Sequence, residues 1–172
     1  MNYSGIIKSD FANGTGVRVT LFVSGCDLHC SNCHSPELWD YTHGSVFDEP
    51  ARNQLFSYLE HEWISGLTVS GGHPLDPENI RDVYKLLKSV RERFPEKNIW
   101  LYTGYTLTPA NFVYKDESIF CKTISLCDIV VDGPYIDKFL DTTIAFRGST
   151  NQRIIDVKRS IDDAQIVELE IE

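Results

Sequence analysis

The sequence predicts an α/β fold, an incomplete β/α barrel with a mainly parallel sheet. Short apolar runs alternate with helical patterns along the chain, and such alternation is typical of parallel sheets. A complete barrel takes about 250 residues, whereas this chain has 172. We therefore expect one domain over residues 1–172 that builds only part of a barrel, with a less distinctive tail at 158–172.

Several apolar runs have the length of strands, contain β-branched or aromatic residues and mostly end at turn residues. They lie at residues 18–23, 67–70, 99–102, 129–131, 153–157 and 166–171. The last run alternates apolar and acidic residues, as an edge strand would.

Three segments between these runs have helical patterns. Residues 49–62 follow Asp48, which is suited to be their N-cap. The clearest helix is capped by Asp76, and its apolar residues recur at helical spacing as far as Phe94. A weaker helix is expected at 108–124.

Unusual loops follow the first four predicted strands. A cysteine cluster follows the first strand, SGGHP the second, TGY the third and DGP the fourth. In parallel α/β sheets the chemistry sits at the carboxyl ends of the strands. We therefore expect these four loops to meet at one edge of the sheet.

The composition excludes some classes of partner. A formal net charge of −9 argues against a nucleic-acid-binding surface, which needs a concentrated positive field. No run approaches the ~20 apolar residues of a membrane span, and the first residues do not resemble a signal peptide. We expect a cytoplasmic protein whose thiols stay reduced, with neither a nucleic-acid nor a membrane partner.

Three cysteines are separated by three and then two residues: Cys26, Cys30 and Cys33. Three thiolates on a cubane of four irons would leave one iron without a protein ligand, an open position suited to chemistry. Two other interpretations stay open on spacing alone. One is a set of redox thiols, and the other is a structural zinc site completed by a nearby histidine: His29, His34 or His43.

The same cysteine spacing is the hallmark of the radical S-adenosylmethionine (SAM) superfamily. Five further segments occur in the order expected of one family in it: NGTGVR at 13–18, SGGHPL at 70–75, WLYTGY at 100–105, VDG at 131–133 and RGSTNQ at 147–152. With the LFVSGC run at 21–26, they resemble the activating proteins of anaerobic (class III) ribonucleoside-triphosphate reductases. The resemblance extends over residues 2–157.

The resemblance implies a radical SAM domain with two cofactors, a [4Fe-4S] cluster and SAM. It implies that Cys26, Cys30 and Cys33 are the metal ligands. The residues implied to lie against SAM belong to several loops: Asn32, Cys33, His34, Gly71, Gly72, His73, Thr103 and Asp132. From the residues alone, Asp132 is equally well explained as a cap for the turn before Pro134.

The resemblance also implies the reaction. SAM would be cleaved reductively, and a hydrogen would be removed from a glycine near the carboxyl end of an anaerobic ribonucleotide reductase, which leaves a glycyl radical there. The implied partners are that reductase subunit and a flavodoxin-type reductant. Two alternatives remain at this point: activation of another glycyl radical enzyme, and a zinc-stabilised, non-catalytic interaction domain.

His73 departs from the family pattern, which has an acidic residue at this position. A neutral imidazole accepts a hydrogen bond but supplies no negative charge to the ammonium group of SAM. We therefore expect either that backbone carbonyls do most of this work or that SAM is bound differently.

Overall fold

The computed structural model describes residues 1–112 and 118–171. Within them, seven strands form one sheet in the order β3-β1-β2-β4-β5-β6-β7. The strands are β1 (Asn2–Asp10), β2 (Arg18–Val23), β3 (Ser45–Val46), β4 (Gly66–Gly71), β5 (Asn98–Tyr102), β6 (Ile129–Asp132) and β7 (Arg153–Asp156). The helices are α1 (Glu49–Leu59), α2 (Ile80–Arg93), α3 (Ile119–Ser125) and α4 (Val157–Asp163).

The sheet is mixed. Strands β2, β4, β5 and β6 are parallel, so the α/β prediction is confirmed for the centre of the sheet. The outer strands β1, β3 and β7 are antiparallel to their neighbours, which corrects the expectation of a mainly parallel sheet. The sequence did not predict β1, because its residues are mostly half-buried or exposed and its pairing with β2 is interrupted twice.

The carboxyl-terminal part differs from the prediction. Strand β7 ends at Asp156, whose side chain accepts a hydrogen bond from the Arg159 amide and caps α4, a helix that was not predicted. The predicted strand at 166–171 is wrong. This segment pairs with β7 in one isolated bridge between Ile155 and Glu168, flanked by hydrogen bonds from the Asp156 amide to the Val167 oxygen and from the Leu169 amide to the Ile154 oxygen, and it does not extend the sheet.

Two predicted helices begin or end elsewhere. Helix α1 is capped by Asp48 as expected, but it ends at Leu59 rather than at residue 62. Helix α2 begins at Ile80 after Asn79 rather than directly after Asp76, and Asp76 instead accepts from the Glu78 amide in the turn that precedes the helix. Of the predicted helix at 108–124, residues 113–117 lie outside the described residues, and the rest contains a short 3-10 turn and α3.

The helices cover one face of the sheet. The larger apolar core contains residues from the centre of the sheet, such as Leu21, Val69 and Leu101, together with the buried sides of α1 and α2. A small second cluster on Trp100, Val131 and Ile154 lies apart from it. No helix within the described residues is long and apolar enough to cross a membrane.

Arg18 is buried next to this second cluster without a carboxylate partner among the described residues. Its guanidinium donates to Thr68 Oγ1 at 2.7 Å, to Asn98 Oδ1 at 2.6 Å and to the carbonyl oxygens of Thr15, Leu67 and Asn98. Burial lowers the pKa of Arg18 to about 10. The residue therefore joins the 13–18 loop to β4 and β5 through hydrogen bonds rather than through an ion pair.

Candidate functional site

A cavity of about 170 Å³ lies at the carboxyl ends of β2, β4, β5 and β6. The four loops predicted to meet at one edge of the sheet all contribute to it. Its lining includes the three clustered cysteines, residues 70–72, residues 102–104 and Gly133. Parallel strand order produces this convergence, because each loop leaves its strand at the same edge.

The cysteine loop is held by the backbone of a neighbouring 3-10 turn, Pro36–Trp39. The Gly25 amide donates to the Leu38 oxygen at 2.8 Å, and the Cys26 amide donates to the Trp39 oxygen. Cys26 is buried, whereas Cys30 and Cys33 are half-buried. Burial raises the pKa of Cys26, and hydrogen bonds from backbone amides of the loop oppose that shift.

The loop does not gather its sulfurs as a single metal ion would require. Within residues 1–112 and 118–171, the group of three metal-ligating side chains with ligand atoms within 4.8 Å of one another is Asp27, His73 and Asp76, and it contains no cysteine. A tetrahedral zinc ion with bonds of about 2.3 Å would hold its sulfurs about 3.8 Å apart. The side chains as they stand therefore do not form a preassembled mononuclear zinc site on the three cysteines.

The Gly-Gly loop packs directly on the cysteine loop. Gly71 has a φ of +103°, and a Cβ there would lie 2.6 Å from the Val23 oxygen. A Cβ on Gly72 would lie 2.5 Å from the Gly25 oxygen. Only glycine allows this approach, so these residues bring the end of β4 against the residues that precede Cys26.

His73 lies behind the cavity rather than in its wall. It is 1% exposed, and its Nε2 atom is 2.8 Å from Thr103 Oγ1, which does line the cavity. Burial lowers the pKa of His73, although Asp76 and Asp27 raise it. The imidazole is therefore neutral near pH 7 and contacts the cavity through Thr103.

Asp132 is also buried and is not among the lining residues. Its Oδ1 accepts from Arg153 Nε at 3.0 Å, and its Oδ2 accepts from the Leu107 amide at 2.7 Å and from Arg153 Nη2. These hydrogen bonds raise the pKa of Arg153. Asp132 therefore joins β7 to the loop after β5, a role that the sequence did not reveal because Arg153 is distant along the chain.

Asn32 and His34 are exposed on the cysteine loop and are not among the lining residues. Asn32 has a left-handed backbone conformation with a φ of 55°. The cavity wall nearest the cysteines is instead completed by residues that sequence reasoning did not select: Leu28, Ser35, Trp39 and Tyr135. No sequence signal distinguishes these from ordinary loop and core residues.

The RGSTNQ segment has a structural role at the rim of the cavity. Gln152 donates from Nε2 to the Gly133 oxygen at 3.1 Å, and its Oε1 accepts from the amides of Gly148 and Ser149. Asn151 donates to the Pro134 oxygen at 2.8 Å. The segment thus fixes the loop after β6, and Gln152 itself lines the cavity.

The chain matches the family model of the 4Fe-4S single cluster domain over residues 12–155. It is 41% identical over 155 residues to an anaerobic ribonucleoside-triphosphate reductase-activating protein of Enterobacteria phage T4, a match that covers 90% of this chain and 93% of that protein. The Escherichia coli (strain K12) protein of the same name is 35% identical over 88% of this chain and 96% of its own length. The Haemophilus influenzae protein is 36% identical over 90% and 97%.

These matches cover the whole cavity, from the cysteine loop to Gln152, and confirm the resemblance drawn from the sequence. The chain therefore belongs to the 4Fe-4S single cluster domain family and, within it, to the anaerobic ribonucleoside-triphosphate reductase-activating proteins.

Proposed function

We propose that this protein is a radical SAM activase that generates the glycyl radical of an anaerobic ribonucleotide reductase. The observation that carries the proposal is the shared cavity. Three cysteines that leave a cluster one protein ligand short line the same space as Gly71, Gly72 and Thr103. The relatives named as activators of this reductase support the choice of partner.

The donor set fits a [4Fe-4S] cluster. Cys26, Cys30 and Cys33 supply soft thiolate ligands of the kind that iron–sulfur clusters use, and three of them leave one iron without a protein ligand. With the cluster and SAM bound, the site would supply the one-electron cleavage of the sulfonium bond and the removal of a hydrogen atom from the partner's glycine. The protein's own part is to position these groups and to exclude competing reactions.

We assign the SAM contacts according to where the side chains lie. Gly71 and Gly72 offer backbone groups, and Thr103 offers a hydroxyl, directly to the cavity. His73 acts from behind it through Thr103, whereas Asp132 supports the site indirectly by holding Arg153 and the loop after β5. Asn32 and His34 stand on the exposed side of the cysteine loop, where they would reach the part of SAM that extends out of the cavity.

The remaining parts of the proposal follow from the chemistry. A radical strong enough to attack a glycine C–H bond cannot diffuse to its target, so the reductase must dock at the open edge of the sheet. The electron must come from a low-potential donor of the flavodoxin type. We also infer that the four parallel strands are the core of a radical SAM-type partial barrel, that the chain is one domain and that it works in the cytoplasm.

The test is anaerobic reconstitution with iron and sulfide, reduction, addition of SAM and measurement of 5′-deoxyadenosine. We expect SAM cleavage in the wild type and its loss in Cys30→Ser. Cys121→Ser is the matched control, because Cys121 lies in α3 away from the cavity. With the reductase present, a glycyl radical signal should appear in the electron paramagnetic resonance (EPR) spectrum.

Each result has a distinct meaning. Zinc without sulfide in the purified protein would refute the cluster and favour the interaction domain. A stable cluster without 5′-deoxyadenosine would refute SAM cleavage, and His73→Asp would then show whether the missing acidic side chain is the reason. SAM cleavage without a radical on this reductase, but with one on another glycyl radical enzyme, would correct the partner.

A further inference from the structure

Asp27, His73 and Asp76 form a cluster of potential metal ligands next to the cavity. One ligand atom from each lies within 4.8 Å of the other two. Asp27 follows the first cysteine, His73 follows the Gly-Gly pair, and Asp76 lies in the turn before α2. The cluster thus joins three positions in two separate segments, and the proposed reaction uses neither of its carboxylates.

The imidazole supplies an independent reason to expect a ligand. His73 Nδ1 is buried and has no hydrogen-bond partner among the described residues. The Asp27 Oδ1 atom lies 3.8 Å from it, too far for a hydrogen bond. A buried ring nitrogen without a partner is unfavourable, and this favours a ligand on that side of the imidazole.

The groups around the cluster are arranged as they are in metal sites. A metal-bound histidine donates its other ring N–H to a neighbouring acceptor, which fixes the ring and leaves a lone pair for the ion. His73 Nε2 lies 2.8 Å from Thr103 Oγ1, which is able to accept a hydrogen bond when the ring carries its proton on Nε2. Asp76 is oriented by the Tyr41 hydroxyl at 2.7 Å and by the Glu78 amide at 2.9 Å.

Asp27 provides the open side of the cluster. Its side chain is 57% exposed, whereas His73 and Asp76 are buried. Ligand atoms around one ion with bonds of about 2.0–2.2 Å lie about 3–3.5 Å apart. Closing the site therefore requires only a small movement, and the one side chain free to make it is the exposed Asp27.

We propose that Asp27, His73 and Asp76 bind one divalent first-row transition-metal ion, such as Mn²⁺, Fe²⁺ or Zn²⁺, through one imidazole nitrogen and two carboxylate oxygens. Two carboxylates balance the charge of the ion, and the mixed nitrogen and oxygen set suits these metals. The ion would join the residue after Cys26 to the turn that begins α2, and so brace the cysteine loop. The proposal does not depend on SAM cleavage.

The experiment uses the full chain, prepared anaerobically with its cluster in the oxidised, diamagnetic state. Mn²⁺ is the probe, because it prefers oxygen and nitrogen ligands to thiolates. EPR titration counts bound Mn²⁺, and pulsed EPR detects a directly coordinated histidine nitrogen. We expect one Mn²⁺ per chain with one histidine coupling, measured without SAM and without the reductase.

The variants separate this site from the acidic surface of the chain. His73→Gln should abolish the nitrogen coupling, and Asp76→Asn should weaken binding by at least about 10-fold. Thr103→Val keeps all three ligands but removes the supporting acceptor, which should weaken binding by about 10- to 100-fold. His61→Gln and Asp141→Asn are the matched controls and should change neither quantity.

Two results would overturn the proposal. If Mn²⁺ binds without nitrogen coupling, or if the coupling remains in His73→Gln, then other residues bind the ion. The cluster is not a metal site if the wild type binds no Mn²⁺ and, in equilibrium dialysis, binds no more Zn²⁺ than His73→Gln does. If His73→Gln does not fold, the coupling in the wild type and the effects of Asp76→Asn and Thr103→Val decide the question.

Discussion

Gly72→Ala tests whether backbone packing sets the position of the cysteine loop. A Cβ at residue 72 would lie 2.5 Å from the Gly25 oxygen and 3.0 Å from the Leu38 oxygen. Both are backbone atoms, so neither rotates away as a side chain would. Reaching an ordinary contact of 3.4 Å requires the backbones to separate by about 0.9 Å, and overpacking of this kind costs about 1–3 kcal/mol.

The expected effect is measurable in two ways. A chain of this size loses about 2–4 °C in Tm for each kcal/mol of destabilisation, so Tm should fall by about 2–12 °C. Iron and sulfide content after reconstitution should also fall, because the displaced Gly25 precedes Cys26. Differential scanning calorimetry measures the first quantity, and chemical analysis of iron and sulfide measures the second.

Gly104→Ala is the matched control in the same cavity. A Cβ there would meet the Cδ1 atom of Leu28 at 2.2 Å, the far end of a flexible side chain that can turn aside. We expect little change in Tm and full cluster content. Equal effects of the two substitutions, or a larger effect of Gly104→Ala, would refute the argument that rigid backbone contacts make Gly72 necessary.

Three further predictions concern buried polar groups. Arg18→Met leaves five acceptors without their donor and should lower the free energy of unfolding by at least about 3 kcal/mol, twice the lower value for one hydrogen bond to a charged group. Urea unfolding measures this change, and a decrease below about 1 kcal/mol would contradict the hydrogen-bond account. Asn79→Asp replaces an amide that donates to the oxygens of Ser24, Gly25 and His73 with a carboxylate that repels them, and it should lower the free energy of unfolding by about 3 kcal/mol. Asn79→Ala lacks the charge and should lower it by less. The reverse order would be evidence against repulsion. Burial lowers the pKa of His73 in the folded chain, so the unfolded chain takes up a proton first, and the free energy of unfolding should fall as the pH drops below about 6.5. Urea midpoints at about pH 7.5 and 5.5, measured with a chelator present, should differ less in His73→Gln than in the wild type. An identical difference in the two proteins would remove His73 as the cause.

The sequence predicted the centre of this molecule better than its edges. Strands β2, β4, β5 and β6 were found because they are buried on both sides and so read as continuous apolar runs. Strand β1 was missed because an edge strand with exposed positions lacks that pattern. The tail at 166–171 has the alternation of a strand but forms only one bridge, since alternation does not guarantee a partner with enough free backbone groups.

In the site, local motifs were predicted but contacts between distant residues were not. Local spacing predicted the cysteine cluster and the glycine loop, and parallel strand order explains why they meet at one cavity. The tertiary partners of His73 and Asp132 were not predictable, because Thr103 and Arg153 are about 20–30 residues away along the chain. Helix α2 also begins later than the pattern indicates, since the Asp76 carboxylate accepts from the Glu78 amide but residues 77–79 form turns rather than α-helix.

The unequal exposure of the three thiols has a consequence for handling the protein. All three line the cavity, but Cys26 is buried whereas Cys30 and Cys33 are half-buried. An opening wide enough for the proposed protein substrate is also wide enough for dioxygen. The working lifetime of the site in air is therefore set by access to these two positions and not by the free energy of unfolding, and substitutions that raise Tm should leave the rate of inactivation in air unchanged.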